Sequence, residues 1–89
     1  MIKEYTVCFF CDRPATEEHH AFQGAYRKKC EKYGFVFCLC HDCHNEPPYG
    51  VHHHKERRNE LKRICQMEYE QTHTRAQFIA EFGKSYLEV

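Results

Sequence analysis

Four of the cysteines stand in two pairs that have the spacing of a zinc knuckle. Cys8 and Cys11 form one Cys-x2-Cys step, and Cys40 and Cys43 form a second one further along the chain. Each step places two thiolates on one tight turn, and a structural zinc ion takes four such ligands at about 2.3 Å. Unrelated buried thiols are the alternative, but they have no reason to occur in pairs of this spacing. The two pairs therefore predict a structural zinc site.

Three further cysteines are expected to lie outside this site. Cys38 is a rival ligand, but a Cys-x-Cys step within a strand points Cys38 and Cys40 to opposite faces. Cys30 and Cys65 fall on apolar helical stripes and are predicted to be core residues.

A second group of chemically active residues consists of histidines. His19 and His20 are adjacent, and His44 directly follows the last cysteine of the second pair. A single histidine is usually an ordinary surface or core residue, so only the positions of these three indicate a functional site. Consecutive strand residues point in different directions, so one of His19 and His20 can face a metal and the other a water molecule.

The elements that position these residues follow from local patterns. A strand over residues 5–10, rich in β-branched and aromatic side chains, leads into the first knuckle, and a short strand over residues 15–20 ends on the histidine pair. Apolar spacing predicts a helix over residues 25–33 that Gly34 caps. The run 35–39 is the most strand-like in the chain, and it leads directly into the second knuckle.

The C-terminal half is predicted to be helical. The Pro-Pro step at 47–48 stops any helix that begins at the second knuckle, and a long helix then runs from about His52 to about Gln71. His53 and His54 are expected at its exposed start. Its core-facing stripe consists of Leu61, Ile64, Cys65 and Tyr69. A last short helix is predicted after a capping box, Thr74 with Gln77, and is closed by Gly83.

Length and composition favour a small metal-stabilised domain. A chain of 89 residues buries a modest fraction of its surface, so a bound metal adds stability that the core alone does not supply. The odd count of 7 cysteines argues against a closed disulfide framework. No linker divides the chain, so residues 1–89 are expected to form a single zinc domain, with a core over 5–65 and a helical extension over 66–89. No signal peptide or long apolar run stands near the N-terminus, which favours a reducing cytoplasm and no membrane partner.

Charge is balanced overall but unevenly distributed along the chain. Residues 24–63 carry nine Lys and Arg against five Asp and Glu, in two basic runs on either side of the second knuckle. From charge alone, two solvated helix faces are the simpler interpretation, but the adjacent Cys and His residues favour a phosphate-binding surface. The candidate nucleic-acid contacts are Arg27, Lys28, Lys29, Lys55, Arg57 and Arg58.

Together these motifs resemble those of the zinc-containing HNH, or His-Me finger, endonucleases. The shared pattern is Cys-x2-Cys, then a His-His pair, then a strand that ends in Leu-Cys-x2-Cys-His-Asn. The stretches Gly-Ala-Tyr-Arg-Lys-Lys at 24–29, Glu-Lys-Tyr-Gly at 31–34 and Gly-Val-His at 50–52 further resemble small HNH proteins of bacteriophages. The likeness covers roughly residues 5–65.

The resemblance implies an α+β fold of the treble-clef, ββα-metal type, with a long C-terminal helix and a final short helix. It implies that His19 and His44 are ligands of a catalytic metal and that His20 is the general base. His52 is a further candidate ligand of this metal.

The resemblance also has a departure. Many family members carry an asparagine, in the loop before the second strand, that orients the base, and residues 32–35 contain none. Asn45 or a backbone carbonyl would then take its place.

Phosphodiester hydrolysis needs a general base and a metal cation, which are the roles that the resemblance implies for these histidines. A base must deprotonate water, and a cation must stabilise charge on the phosphate and the leaving oxygen. Histidine, with an ordinary pKa of about 6.5, is largely neutral at pH 7 and can be this base. Arg27 can clamp the remaining phosphate charge. Imidazole ligands suit Mn, Ni, Co or Zn, and strict dependence on Mg is not expected.

The residues and the resemblance together predict a metal-dependent DNA endonuclease of phage or prophage origin, with a structural zinc and a second divalent metal. A homodimer or a phage protein partner would help it to cut both strands. The alternative is a non-catalytic zinc-binding module that contacts nucleic acid or a phage protein. His20 separates the two, because a binding module has no need of a second imidazole beside His19. A third and weaker interpretation is a redox-sensing thiol protein, which would require a cysteine pair free of zinc.

Overall fold

A computed structural model describes residues 7–87, which form an α+β unit with one two-stranded antiparallel sheet. The strands are β1, Glu17–His20, and β2, Val36–Leu39. The described range also has four α-helices: α1, Arg27–Tyr33; α2, His41–Asn45; α3, Lys55–Tyr69; and α4, Arg75–Phe82. Two 3-10 turns, Gly24–Tyr26 and Val51–His53, precede α1 and α3. Among the residues described, no helix has the length and apolar character needed to cross a membrane.

The sheet joins the histidine pair to the second knuckle. In its register Glu17, at the start of β1, lies opposite Leu39, at the end of β2. All four residues of β2 are buried, which accounts for its unbroken apolar sequence. The strands predicted over residues 15–20 and 35–39 are confirmed with slightly narrower bounds.

Two helices end or begin as their sequences predict. The helix expected over residues 25–33 closes at Gly34, which has the left-handed φ of 75° that a glycine adopts without strain. At the start of α4, the Thr74 hydroxyl accepts from the Gln77 backbone N–H at 3.1 Å, and the Gln77 side chain accepts from the Thr74 N–H at 2.8 Å. This reciprocal pair is the predicted capping box.

Aromatic rings are the largest side chains of the core, and they bring α4 against the end of the sheet. The Phe22 ring, just after β1, lies 4.5 Å from the Phe82 ring and 5.8 Å from the Phe78 ring, between centroids. Phe35, just before β2, lies 5.8 Å from Phe82. The helical extension predicted over residues 66–89 thus packs on the same core as the sheet.

The strand predicted over residues 5–10 is wrong in the part that the structure describes, and its first two residues lie outside the described range. Val7 makes a single bridge with Pro14, and the chain then enters a turn. The Cys8 N–H donates to the Arg13 carbonyl at 2.7 Å. The knuckle closes on itself at once, which leaves no length of extended chain to pair as a strand.

The long helix begins later than predicted. The chain makes a 3-10 turn at Val51–His53, and His54 then adopts an extended backbone instead of a helical one. His54 is the N-cap of α3, because its Nδ1 accepts from the Arg57 N–H at 3.2 Å, while His53 is exposed as expected. The helix ends at Tyr69, short of the predicted Gln71. The predicted stripe faces the core, with buried Leu61, Cys65 and Tyr69 and partly buried Ile64.

Candidate metal centres

The four paired cysteines come together as the sequence predicts. One sulfur from each of Cys8, Cys11, Cys40 and Cys43 lies within 4.8 Å of the others. The Cys11 and Cys40 sulfurs are 3.6 Å apart. Two sulfurs on a tetrahedral zinc ion are about 3.8 Å apart, since each Zn–S bond is about 2.3 Å. The four thiols are therefore close enough to bind a metal, and their arrangement is consistent with structural zinc.

Strand β2 holds the two knuckles against each other. The Phe9 N–H donates to the Cys38 carbonyl at 3.0 Å, which ties the first knuckle to β2. The strand then ends, and Cys40 becomes the N-cap of α2. Cys38 itself is buried and lies outside the cluster, as expected from strand alternation.

The surroundings of the cysteine cluster act on its thiols in different directions. The Arg13 Nε donates to the Cys11 sulfur at 3.4 Å, and this hydrogen bond lowers the pKa of Cys11 to about 6. Burial raises the pKa of Cys43 to about 12. A divalent cation favours the thiolate form of every ligand it binds, so zinc binding would release protons from this cluster.

Three histidines form a second cluster. A ring nitrogen from each of His19, His44 and His52 lies within 4.8 Å of the others, and the Nε2 atoms of His44 and His52 are 3.0 Å apart. His19 is only 3% exposed, and within residues 7–87 its Nδ1 has no hydrogen-bond partner. Burial, reinforced by His44 and His52, lowers the pKa of His19 to about 3. A buried, neutral imidazole beside two others fits a divalent metal of the kind that nitrogen ligands prefer.

A carboxylate orients one of these ligands. Glu17 Oε1 lies 2.6 Å from the Nδ1 of His44 and accepts from the Asn45 side chain at 2.7 Å. A carboxylate only accepts, so His44 carries its proton on Nδ1 and keeps the Nε2 lone pair free. Hydrogen bonds from His41 and then His44 lower the pKa of Glu17. The sequence motifs do not identify Glu17, although its place two residues before His19, on the same face of β1, is a signal that could have found it.

His20 lies beside the histidine cluster and has a different partner. Its side chain is 13% exposed, and its Nε2 is 3.2 Å from Glu31 Oε2 on α1. Asn45 does not orient His20, because its side chain donates to Glu17. Of the two substitutes named for the missing loop asparagine, Asn45 pairs with Glu17 instead, and the side chain that contacts His20 is Glu31 on α1.

The histidine cluster and His20 face one cleft of about 300 Å³. Its lining includes His19, His20, His44 and His52 together with Glu18, Gln23, Gly24 and Arg27. Gly24 has a left-handed φ of 66°, which lets the chain turn sharply from β1 into α1. This turn brings the Arg27 guanidinium to the cleft.

The predicted nucleic-acid contacts differ in exposure and in the partners of their side chains. Arg27, Lys28 and Lys55 are exposed. Arg58 is half-buried, and its Nη1 donates to the Val51 carbonyl at 2.9 Å, beside the cluster histidine His52. These residues remain accessible to a ligand.

Two other predicted contacts serve the fold. The Lys29 Nζ donates to the Glu81 carbonyl on α4 at 2.7 Å. The Arg57 Nη1 donates to the Tyr49 carbonyl at 3.2 Å, and its guanidinium lies 4.7 Å from the centre of the Phe10 ring. Lys29 therefore fixes α1 against α4, and Arg57 fixes α3 against the cysteine knuckles.

Adjacent residues of α2 belong to the two clusters. Cys43 belongs to the cysteine cluster and His44 to the histidine cluster, and successive helix residues point about 100° apart. One short helix thus presents a side chain to each centre.

Comparisons with protein-family models, with curated proteins and with solved structures find no match for this chain.

Proposed function

We propose that this protein is a metal-dependent DNA endonuclease of the HNH, or His-Me finger, type, of phage or prophage origin. The observation that carries the proposal is the common cleft, which holds three clustered imidazoles, a fourth imidazole backed by a carboxylate, and a guanidinium. A binding module has no use for the fourth imidazole, His20, in this place.

The order of the elements supports a treble-clef, ββα-metal arrangement. The antiparallel strands β1 and β2 are followed directly by α2. His19 and His20 end β1, and His44 lies on α2. These histidines therefore come from the strand and the helix that such a fold brings together. The cysteine cluster, with a structural zinc, would hold the other end of β2.

His20 has the surroundings of a general base. Its Nε2 faces the Glu31 carboxylate at 3.2 Å, and a proton on this nitrogen leaves the Nδ1 lone pair free to accept a proton from water. The imidazolium that forms would be stabilised by the same carboxylate, as in other carboxylate–histidine pairs.

The remaining residues of the cleft have complementary roles. His19, His44 and His52 would hold a divalent metal, and three imidazole ligands favour Mn, Ni, Co or Zn over Mg. When bound, this metal supplies charge stabilisation to the phosphate and the leaving oxygen. Glu17 keeps the Nε2 of His44 turned toward the cluster, and Arg27 would bind a non-bridging phosphate oxygen.

The test is nicking of supercoiled plasmid with Mg, Mn, Ni, Co or Zn and with no added metal, beside a metal analysis of the purified protein. We expect retained zinc and cleavage that depends on the added metal. The His20→Ala variant should bind both metals and DNA while its cleavage rate falls about 10² to 10⁴-fold, because a general base is lost. His53→Ala is the matched control, since this exposed neighbouring histidine lies outside the cluster.

Two results would contradict the proposal. Cleavage by His20→Ala at the wild-type rate under saturating metal would remove the mechanism. Failure of the wild type to cut plasmid, linear duplex or single strands with any metal would leave the zinc-binding module as the function.

A further inference from the structure

Two lysine side chains lie over one tyrosine ring, and an arginine is the neighbour of the first lysine on α3. Arg58 and Lys62 are four residues apart on α3 and therefore neighbours on its surface. The Lys62 Nζ lies 5.2 Å from the centre of the Tyr86 ring, and the Lys84 Nζ lies 5.1 Å from the same centre. Arg58 connects the group to the cleft, since it donates to the carbonyl of Val51.

The platform under these cations is rigid. Gln66 on α3 is fully buried, and its Oε1 accepts from the Tyr86 N–H at 2.7 Å. Its Nε2 donates to the Ser85 hydroxyl at 3.0 Å. The Tyr86 ring also packs 5.7 Å from the Phe22 ring of the core. A buried amide thus fixes the segment after α4 against α3, and it holds the two lysines at one place.

The positive charges have no acidic partner among residues 7–87. The Arg-carboxylate pairs of the described chain lie elsewhere, between Arg13 and Asp42 and between Arg75 and Glu70. Burial, with the charges of Arg58 and Lys84, lowers the pKa of Lys62. Three cations kept close together repel one another, and a bound anion would remove that repulsion.

We propose that Arg58, Lys62 and Lys84 form a phosphate subsite that binds a second backbone phosphate of the DNA strand cut in the histidine cleft. This inference rests on the proposed endonuclease function. Arg27 contacts the cleaved phosphate, and the subsite holds the same strand at another point, so the strand cannot rotate in the cleft. Two ammonium groups and a guanidinium donate charge-assisted hydrogen bonds, and the anionic oxygens of a backbone phosphate accept them.

The subsite is tested by the salt dependence of DNA binding. A fluorescent 20-base-pair duplex is titrated with Lys62→Gln, Lys84→Gln and the double variant, each combined with His20→Ala to prevent cutting, and affinity is measured by anisotropy from low to high NaCl. Each lost phosphate contact should lower the slope of log affinity against log salt by about 1, so the double variant should lose about 2.

Lys32→Gln is the matched control, because the Lys32 Nζ also lies 5.2 Å from a tyrosine ring, that of Tyr33, and the substitution removes the same charge. Its salt slope should equal that of the parent protein. If the salt slopes of the Lys62 and Lys84 variants equal that of the parent protein, as for Lys32→Gln, the subsite is overturned. Intact cleavage by the wild type would then leave the endonuclease proposal in place.

A second measurement separates the two proposals. Inorganic tripolyphosphate should raise the thermal midpoint of the wild type and have much less effect on the Lys62→Gln, Lys84→Gln double variant. That result, found in a protein that cuts no DNA, would support the phosphate subsite while the endonuclease fails. An unchanged midpoint of the wild type would overturn the subsite.

Discussion

The two metal clusters differ in how completely the protein surrounds them. The cysteine cluster offers four ligands, three of them buried, and it lies between two tight turns and the end of a strand. The histidine cluster offers three ligands, one buried, one partly buried and one exposed, and it faces a cleft. Four protein ligands close a structural zinc site, whereas three leave a position for water or substrate. The closed cysteine cluster therefore fits a structural metal, and the open histidine cluster fits the chemistry proposed above.

A second difference lies in what supports the ligands. The cysteines are held chiefly by backbone hydrogen bonds of the knuckles, such as that from Phe9 to Cys38. The histidines are supported by carboxylate side chains, Glu17 at His44 and Glu31 at His20. A carboxylate partner fixes which ring nitrogen of a histidine carries the proton. A general base depends on this choice of tautomer, whereas a cysteine-bound structural metal does not.

The largest expected effect is the loss of the cysteine site. Cys40→Ser should lose zinc and unfold, because apparent zinc-binding energies of small domains are on the order of 10 kcal/mol, comparable with the stability of a whole domain. Circular dichroism and the thermal midpoint measure the outcome. Cys38→Ser, a change at a buried cysteine outside the cluster, should keep its zinc. A folded Cys40→Ser protein with the wild-type thermal midpoint would show that the cysteine cluster is not needed for folding.

A smaller effect is expected at the carboxylate behind the histidine cluster. Glu17→Ala should weaken the second metal about 10 to 100-fold, as the loss of such a partner typically does, and leave the zinc in place. Titration with Co or Ni, followed by absorption, measures this affinity, and cleavage should return at high metal concentration. Glu60→Ala is the control, since this exposed glutamate on α3 lies outside both clusters. An unchanged metal affinity would show that Glu17 only packs against α2.

The smallest effect is expected at the partner of the base. Glu31→Ala should lower the cleavage rate about tenfold by releasing the His20 ring, with both metal affinities unchanged. Glu31→Gln should recover part of the rate, because its amide oxygen still accepts from Nε2. Single-turnover cleavage under saturating metal measures both variants. A rate for Glu31→Ala equal to that of the wild type would mean that His20 is oriented by other contacts.

The sequence predicts the cysteine cluster well because its signal is local. Each pair of ligands lies within one turn, so spacing alone identifies Cys8 with Cys11 and Cys40 with Cys43. The strand that ends on the histidine pair, the helix closed by Gly34 and the capping box likewise depend on neighbours in the chain. Short-range patterns of this kind remain visible without the fold.

The parts that the sequence misses depend on contacts between distant segments. Glu31 meets His20 only because α1 packs beside β1, and no spacing rule connects the two. Lys29 looks like a free cation until α4 places the Glu81 carbonyl above it. The later start of α3 has a local cause, but histidine is a less common N-cap than Ser, Thr, Asp or Asn, so His54 gives little warning.

The adjacent positions of Cys43 and His44 on α2 impose an order on metal loading. A chelator too weak to compete with four thiolates would strip only the histidine side, and adding metal back would restore cleavage. A chelator strong enough to take the zinc would also unfold helix α2, which presents His44, so the second metal alone would recover nothing. Protein purified through such a chelator would need zinc first and the second metal afterwards.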